Sequence, residues 1–562
     1  MKNTKNLIIL FIIITTIKSL LSYFITSPSI FSDEYLYIKM SQSFFQNFNF
    51  DIHGMPSDTY LPIYPILISI SFLFNDATVF YMIMKIINSI LSSLIIIPAY
   101  LIAKEFVDEK KALYCSLIIA LLPMSVTLSY YIISENIFHT LFLTSIYLIY
   151  KSTIDNSYKY EILSGISIGL TSLTKLAGLS LIIVAGIITI YKVIKKDYNQ
   201  VPKKIVILVI SLIIFSPWLI RNGFIFGFTI NGVLGNYSNA VQSTEINYLN
   251  LVIWPMLYLS LLLISSLIII LPFNLAAIKE KLKDNKMKIF TIITFVTAII
   301  MIVALSKYAA TSSIKEETFI QGLTGRPIGR YIDIVLPLIT LNGVITYFKY
   351  KKNIKKELNK IIIISIPLII LFSQLMFFSL LPLNNLSVSE IGIIKLIIEN
   401  ILTENLAIIL TTTMLLAIAV LIIYMNKKNI LMKINIIKII AILFIGINII
   451  NFGVTYYNSK TSWYNHQQEQ LSLWMKDHIA EDKIILIDEN DCGNFNKETT
   501  KILCTKKRST QLTALWINNK VIIDNINNKE ADYIISTKNL NLPLVKKTKN
   551  EIYLYRTNNR EL

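Results

Sequence analysis

The sequence predicts an α-helical polytopic membrane protein with about thirteen transmembrane helices and a small α/β domain at its C-terminal end. Three observations predict this. Of 562 residues, 54% are hydrophobic and only 16% charged, more apolar than soluble domains usually are. The apolar residues gather into runs of about 20, the length that crosses a bilayer as a helix. The lysines gather in alternate loops between those runs, as the positive-inside rule requires. The net charge of +18 therefore reflects topology, and nucleic acid is not an expected partner.

The first apolar run follows Lys5 and is too long for a signal-peptide core, with no small-residue cleavage site after it, so it reads as a retained span. Spans are expected near 6–24, 80–103, 111–129, 134–151, 161–174, 176–193, 205–220, 251–275, 289–306, 331–349, 361–381, 405–425 and 436–456. With the N-terminus cytoplasmic, every lysine-rich loop falls on the cytoplasmic side of a multi-pass protein of the cell membrane. The segments 25–79, 221–250, 307–330 and 382–404, and everything after about 457, then lie outside. The stretch 61–74 is apolar but short and broken by Pro62 and Pro65, so it is expected at the interface or half inserted. Two domains follow: a transmembrane domain over 1–457 and an extracytoplasmic domain over 458–562. In the latter a helical pattern at 467–479 precedes β-type runs at 483–488, 521–524, 532–536 and 551–556.

Chemistry is expected in the outer segments. Asp33 and Glu34 form an adjacent carboxylate pair just beyond the first span, suited to general-base work or metal binding, or else to a water-facing interfacial turn. Lys175, Arg221, Arg326 and Arg330 are cations at the outer edge. Singly, each has the bland role of snorkelling toward headgroups; together, opposite an acidic pair, they suit an anion such as a lipid phosphate. Glu135 follows Ser134 at a helix start, where a carboxylate complements the helix dipole. No His/Cys cluster has metal-site spacing, and neither a phosphate-binding loop nor a serine nucleophile elbow appears. The sequence assigns no cofactor, and a divalent metal ion stays open.

Six motifs in order carry a family resemblance: Asp33-Glu34; Tyr60-Leu-Pro-Ile-Tyr-Pro65; Ser134-Glu135-Asn136; the run from Ser164 to Lys175; Pro217-Trp218 through Arg221-Asn222 with Gly227; and Gly329-Arg330-Tyr331 through Asp333 to Pro337. Over about residues 31–350 the chain resembles the C-type (GT-C) lipid-carrier-dependent glycosyltransferases, in particular glycosyltransferase family 39 with its protein O-mannosyltransferases and aminoarabinose transferases. The resemblance implies a GT-C fold and transfer of a hexosyl or pentosyl unit from a polyprenyl-phosphate donor to a lipid, glycan or protein acceptor at the outer membrane face. It implies that Asp33, with Glu34 beside it, is the base or acceptor-orienting carboxylate. Arg330 is implied near the donor phosphate, with Arg326, Arg221 and Lys175 as further candidates and Glu135, Tyr331 and Tyr60 as other site residues. The chain lacks the Trp-Trp-Asp-Tyr-Gly signature of oligosaccharyltransferases and the β-trefoil insertion of eukaryotic O-mannosyltransferases. The competing readings are a lipid-linked sugar flippase or transporter, which calls for midplane charges and inverted repeats, and a non-catalytic subunit of an envelope assembly complex. Cys492 and Cys504, the only cysteines outside the spans, are expected to form a disulfide supporting the C-terminal domain.

Overall fold

The computed structural model describes residues 2–28, 32–57, 60–155, 157–235, 238, 248–310, 329–376, 401–460, 467–488, 513–526, 530–548 and 552–557. Arg326, Cys492 and Cys504 lie outside the described residues.

Helices fill the expected spans. Among the described residues eight helices are long and apolar enough to cross a membrane, and two bent helix pairs add up to two more. The other three expected spans coincide with Tyr158–Thr174, Leu336–Tyr350 and a pair broken at Ser365, Lys355–Ile364 with Ile366–Met376.

Two spans expected to be continuous are bent. The run 111–129 becomes Glu109–Ala120 and a short helix from Pro123, at 60° to each other, because Pro123 has no N–H to extend the first helix. The run 251–275 becomes Tyr248–Ser265 and Ile270–Ala276, whose axes differ by 108°. The first of these ends in a Schellman-type closure: Ile268 N–H reaches the Leu263 carbonyl at 3.0 Å, Leu267 N–H reaches Ile264 at 2.8 Å, and Leu267 takes a positive φ of 55°. A non-glycine residue there leaves no signal in the sequence.

The first span, α1 (Lys2–Tyr23), is held by one interior cation. Lys18 is buried and donates to the hydroxyls of Ser92 and Ser125 at 3.1 and 3.0 Å. After it comes α2 (Ser32–Asn47), then a two-stranded hairpin, β1 (Asp51–Ile52) with β2 (Met55–Pro56), and the short apolar helix α3 (Ile63–Ser69). Asp33 and Glu34 therefore lie in the first turn of a helix, where carboxylates complement the N-terminal dipole, and not in the interfacial turn that was the bland alternative for them. Next, α4 (Ala77–Ser93) is capped by Asp76, which accepts from the Thr78 and Val79 N–H groups.

The helix that leads to Lys175 is fixed by close packing. In α9 (Tyr158–Thr174), Gly165 and Gly169 form a small-residue seam against α11 (Val201–Phe226). A Cβ at Gly169 would lie 2.5 Å from Ile214 Cβ, and one at Gly165 2.7 Å from Ile210 Cβ. One turn from the far end, Lys204 and Glu161 form a fully buried pair at 2.8 Å, with Lys204 also donating to the Ser152 carbonyl at 2.5 Å.

The C-terminal domain has the predicted helix, Gln467–His478, and the four predicted strands, plus Leu544–Lys547, whose exposed side chains give no alternation to read. With β3 (Ile484–Asp488), β4 (Lys520–Asp524), β5 (Tyr533–Ser536), β6 (Leu544–Lys547) and β7 (Tyr553–Arg556), the sheet order is β4-β3-β5-β7-β6. The β3 pairings are parallel and the β7 pairings antiparallel. This domain shares one apolar core with the α2–α3 segment and α4. Trp516 packs 5.7 Å from both Phe80 and Tyr81, and Ser27 donates to Glu469 at 2.9 Å.

Burial of Glu469, opposed by the Ser27 hydroxyl and the Lys85 ammonium, raises its carboxyl to about 7. A folded pKa above the unfolded value stabilises docking fully below the unfolded pKa and loses that contribution as pH rises through about 7. Thermal unfolding of the C-terminal domain is expected to shift to lower temperature between about pH 5 and pH 8, and Glu469→Gln to flatten that slope. An identical slope in the variant would remove Glu469 as its source.

Candidate active site

A cleft of about 200 Å3 forms where α2, the start of α8 (Glu135–Asp155), the end of α9 and the short 3-10 helix Gly329–Ile334 meet. Each element brings one charge. α2 supplies Asp33, α8 Glu135, the residue after α9 Lys175, and the 3-10 helix Arg330.

These four charges pair crosswise. Arg330 donates to Asp33 Oδ2 at 2.6 Å and has its Nε 3.9 Å from Glu135 Oε1. Lys175 donates to that same Glu135 oxygen at 2.5 Å. Glu135 is fully buried, whereas Asp33, Lys175 and Arg330 keep 13–14% of their side-chain surface open. The cleft thus joins residues about 300 positions apart, and its two cations and two carboxylates balance. In such partly dehydrated surroundings charge pairs are stronger than in water.

Local sequence explains each placement. Asn136 donates to the carbonyls of Leu128, Tyr131 and Ile133 at 3.1–3.2 Å, which pins the turn before α8 and presents Glu135 to the cleft. Ser134 accepts from the Tyr37 hydroxyl at 2.8 Å. Lys175 is extended, with φ −155° and ψ 136°, and so ends α9. The chain then turns tightly at Gly178, where a Cβ would lie 2.6 Å from the Ser172 nitrogen. Aromatic rings line the rest: Tyr331 lies 5.0 Å from the Lys175 ammonium and 5.6 Å from the Arg330 guanidinium, with Tyr308 5.7 Å from Tyr331. The Tyr60 hydroxyl donates to Asp33 Oδ1, and Tyr37 packs between Tyr60 and Tyr64 at 4.7 and 4.8 Å.

Of the residues singled out by sequence, Asp33, Glu135, Lys175, Arg330, Tyr331 and Tyr60 therefore converge. Glu34 does not. It is buried on another side of α2, accepting from the Ile132 N–H at 3.0 Å and the Tyr81 hydroxyl at 3.3 Å. Successive helical residues point about 100° apart, which separates a pair that a turn would have kept together. Arg221 also lies elsewhere: it donates to the Ser57 carbonyl at 2.8 Å and covers the Trp218 ring at 4.7 Å. Sequence reasoning missed Tyr37, Thr174 and Tyr308. Tyr37 had a usable signal, standing four residues after Asp33 on one helix face; Tyr308 had none. Among the described residues no group of three or more His, Cys, Asp or Glu side chains is placed to hold a metal ion.

Residues 61–220 match the model of the family described as dolichyl-phosphate-mannose-protein mannosyltransferase. No curated protein matches the chain by sequence. Among solved structures it is similar to ArnT from Cupriavidus metallidurans in the apo state, at 11% identity and a TM-score of 0.58, over 98% of each chain. It is also similar to the same protein bound to undecaprenyl phosphate, at 12% identity and a TM-score of 0.57, over 93% of this chain and 86% of that one. The chain shares the fold of these ArnT structures, in keeping with the fold that the family resemblance implied.

Among the described residues Glu135 is the one carboxylate contacting both cations, so its loss leaves Lys175 partly buried without the ion-pair partner found there. Glu135→Gln is expected to destabilise the fold by about 3 kcal/mol, the usual cost of breaking a buried pair from one side. Thermal unfolding in detergent checks this, and an unchanged midpoint would mean that the pair is not energetically coupled.

Proposed function

We propose that this GT-C protein is a membrane glycosyltransferase that moves a hexosyl or pentosyl unit from a polyprenyl-phosphate donor to a hydroxyl of a lipid, glycan or protein acceptor at the outer membrane face. The observation that carries the reading is the convergence of Asp33 with Arg330, Lys175 and Glu135 in one cleft, beside spans that match a mannosyltransferase family model. The similar ArnT structure that holds undecaprenyl phosphate supports the donor class.

The chemistry follows from the charges. The acceptor oxygen bonds to the anomeric carbon as the bond from that carbon to the phosphate oxygen breaks, and the bonding pair leaves with the phosphate. Charge develops on that phosphate, and fixed cations in a dehydrated cleft stabilise it without reorganising. Arg330, with a planar fork of donors, and Lys175, a point charge, are the groups available for this. The acceptor proton passes to Asp33. A carboxylate has about four lone-pair sites. The bonds to Tyr60 and Arg330 occupy two, so Asp33 is held in one orientation and can still accept. Tyr60 and Glu135 act through others, the first by orienting Asp33 and the second by spacing the two cations.

Release of polyprenyl phosphate from a labelled donor in the presence of acceptor extract tests the reading, since neither a flippase nor a non-catalytic subunit releases it. Asp33→Asn is expected to insert normally yet lower transfer about a hundredfold or more, because an amide cannot take the proton. Near-wild-type transfer in the purified variant would remove Asp33 from the mechanism. Arg330→Ala should weaken donor use by about 1.5–3 kcal/mol, and Arg330→Lys should recover only part of it. If both keep wild-type donor dependence, the phosphate is held elsewhere.

A further inference from the structure

A second cleft, of about 260 Å3, opens between α2, the β1–β2 hairpin and the start of β4. Lys39, Gln42 and Gln46 line it from α2, His53 from the hairpin, and Asn518 and Lys520 from the C-terminal domain. At 3.6 residues per turn, Lys39, Gln42 and Gln46 share the face of α2 opposite Asp33 and Tyr37. A ligand here does not share contacts with one in the first cleft.

The walls are built. Lys39 and Gln42 keep 4% and 9% of their surface. Lys39 donates to the Ile517 carbonyl at 2.5 Å and to Gln42 Oε1 at 3.1 Å, and Gln42 donates in turn to Asn518. An ammonium has three donors, so one is left over among the described residues. His53 Nδ1 lies 2.9 Å from the Asn519 carbonyl and therefore carries the proton. Its Nε2 keeps a lone pair that meets no hydrogen-bond partner among the described residues. Burial, with Lys39 nearby, pushes His53 down to about 3, so the ring is neutral and Nε2 is an acceptor. Burial, with Lys476 nearby, pushes the Lys39 ammonium down to about 7 against the pull of Glu481, and an adjoining anion would restore its proton. Lys520 and Asp51 offset each other, so the lining is net positive by whatever charge Lys39 carries, fully so once an anion restores its proton, whereas the first cleft is balanced.

Amides that both donate and accept, a histidine acceptor and an excess cation are the complement of a hydroxylated anion. We propose that this cleft is an accessory binding site for an acidic saccharide, a sugar chain bearing carboxylate or phosphate groups, separate from the transfer cleft and independent of its chemistry.

The test uses the full chain in detergent, with a galacturonic acid hexasaccharide as probe and maltohexaose and inorganic phosphate as controls. Saturable binding of the acidic hexasaccharide is expected, at least about tenfold tighter than either control. Lys520→Glu reverses an exposed charge, and Gln46→Trp fills the cleft from an exposed position. Both should weaken binding about tenfold with unchanged melting temperatures, while Arg330→Ala should bind as wild type. The proposal is overturned if the neutral hexasaccharide binds as well as the acidic one, if phosphate alone binds as tightly, or if both cleft variants bind as wild type.

Discussion

The carboxylate of Glu34 is the contact on which the arrangement of both clefts depends. It is buried at the third position of α2 and accepts from the Ile132 backbone and the Tyr81 hydroxyl. Taking a carboxylate out of water costs several kcal/mol unless its lone pairs are met, so α2 cannot rotate about its axis without exposing that cost. With Glu34 seated, Asp33 and Tyr37 face the first cleft and Lys39 and Gln42 face the C-terminal domain. One helix thereby sets the geometry of two cavities and a domain junction.

The C-terminal domain is integral to that arrangement. Its Trp516 shares a core with Phe80 and Tyr81 of α4, and the Ile517 and Asn519 carbonyls accept from Lys39 and His53. These bonds run between chain segments more than 400 residues apart, and no period or local motif announces them.

What was legible in the sequence follows from how far each signal reaches. Apolar length located the helices, because it is a property of single segments. The convergence of Asp33, Glu135, Lys175 and Arg330 was legible only through motif order. Arg221 carries the same residue type at the same predicted depth, yet its helix turns it toward Ser57 and Trp218. The bends at 121–122 and 266–269 show the same limit. The first has Pro123 to mark it, while the second relies on Leu267 and Ile268 in a conformation their side chains disfavour. Strand β6, exposed on both faces, offered no alternation.

Under the proposed function, the balance of charge in the first cleft bears on turnover. Asp33 and Glu135 already oppose Lys175 and Arg330, so a lipid phosphate that enters must share cations held by carboxylates. A spent carrier bears more negative charge than the sugar-loaded one, and an unopposed pair of cations would retain it. Here each cation has an internal partner to return to, and the two carboxylates repel the departing phosphate. In the proposed reaction the same four residues would thus assist bond breaking and still let the empty carrier diffuse back into the bilayer, which would keep the cleft from being inhibited by its own product.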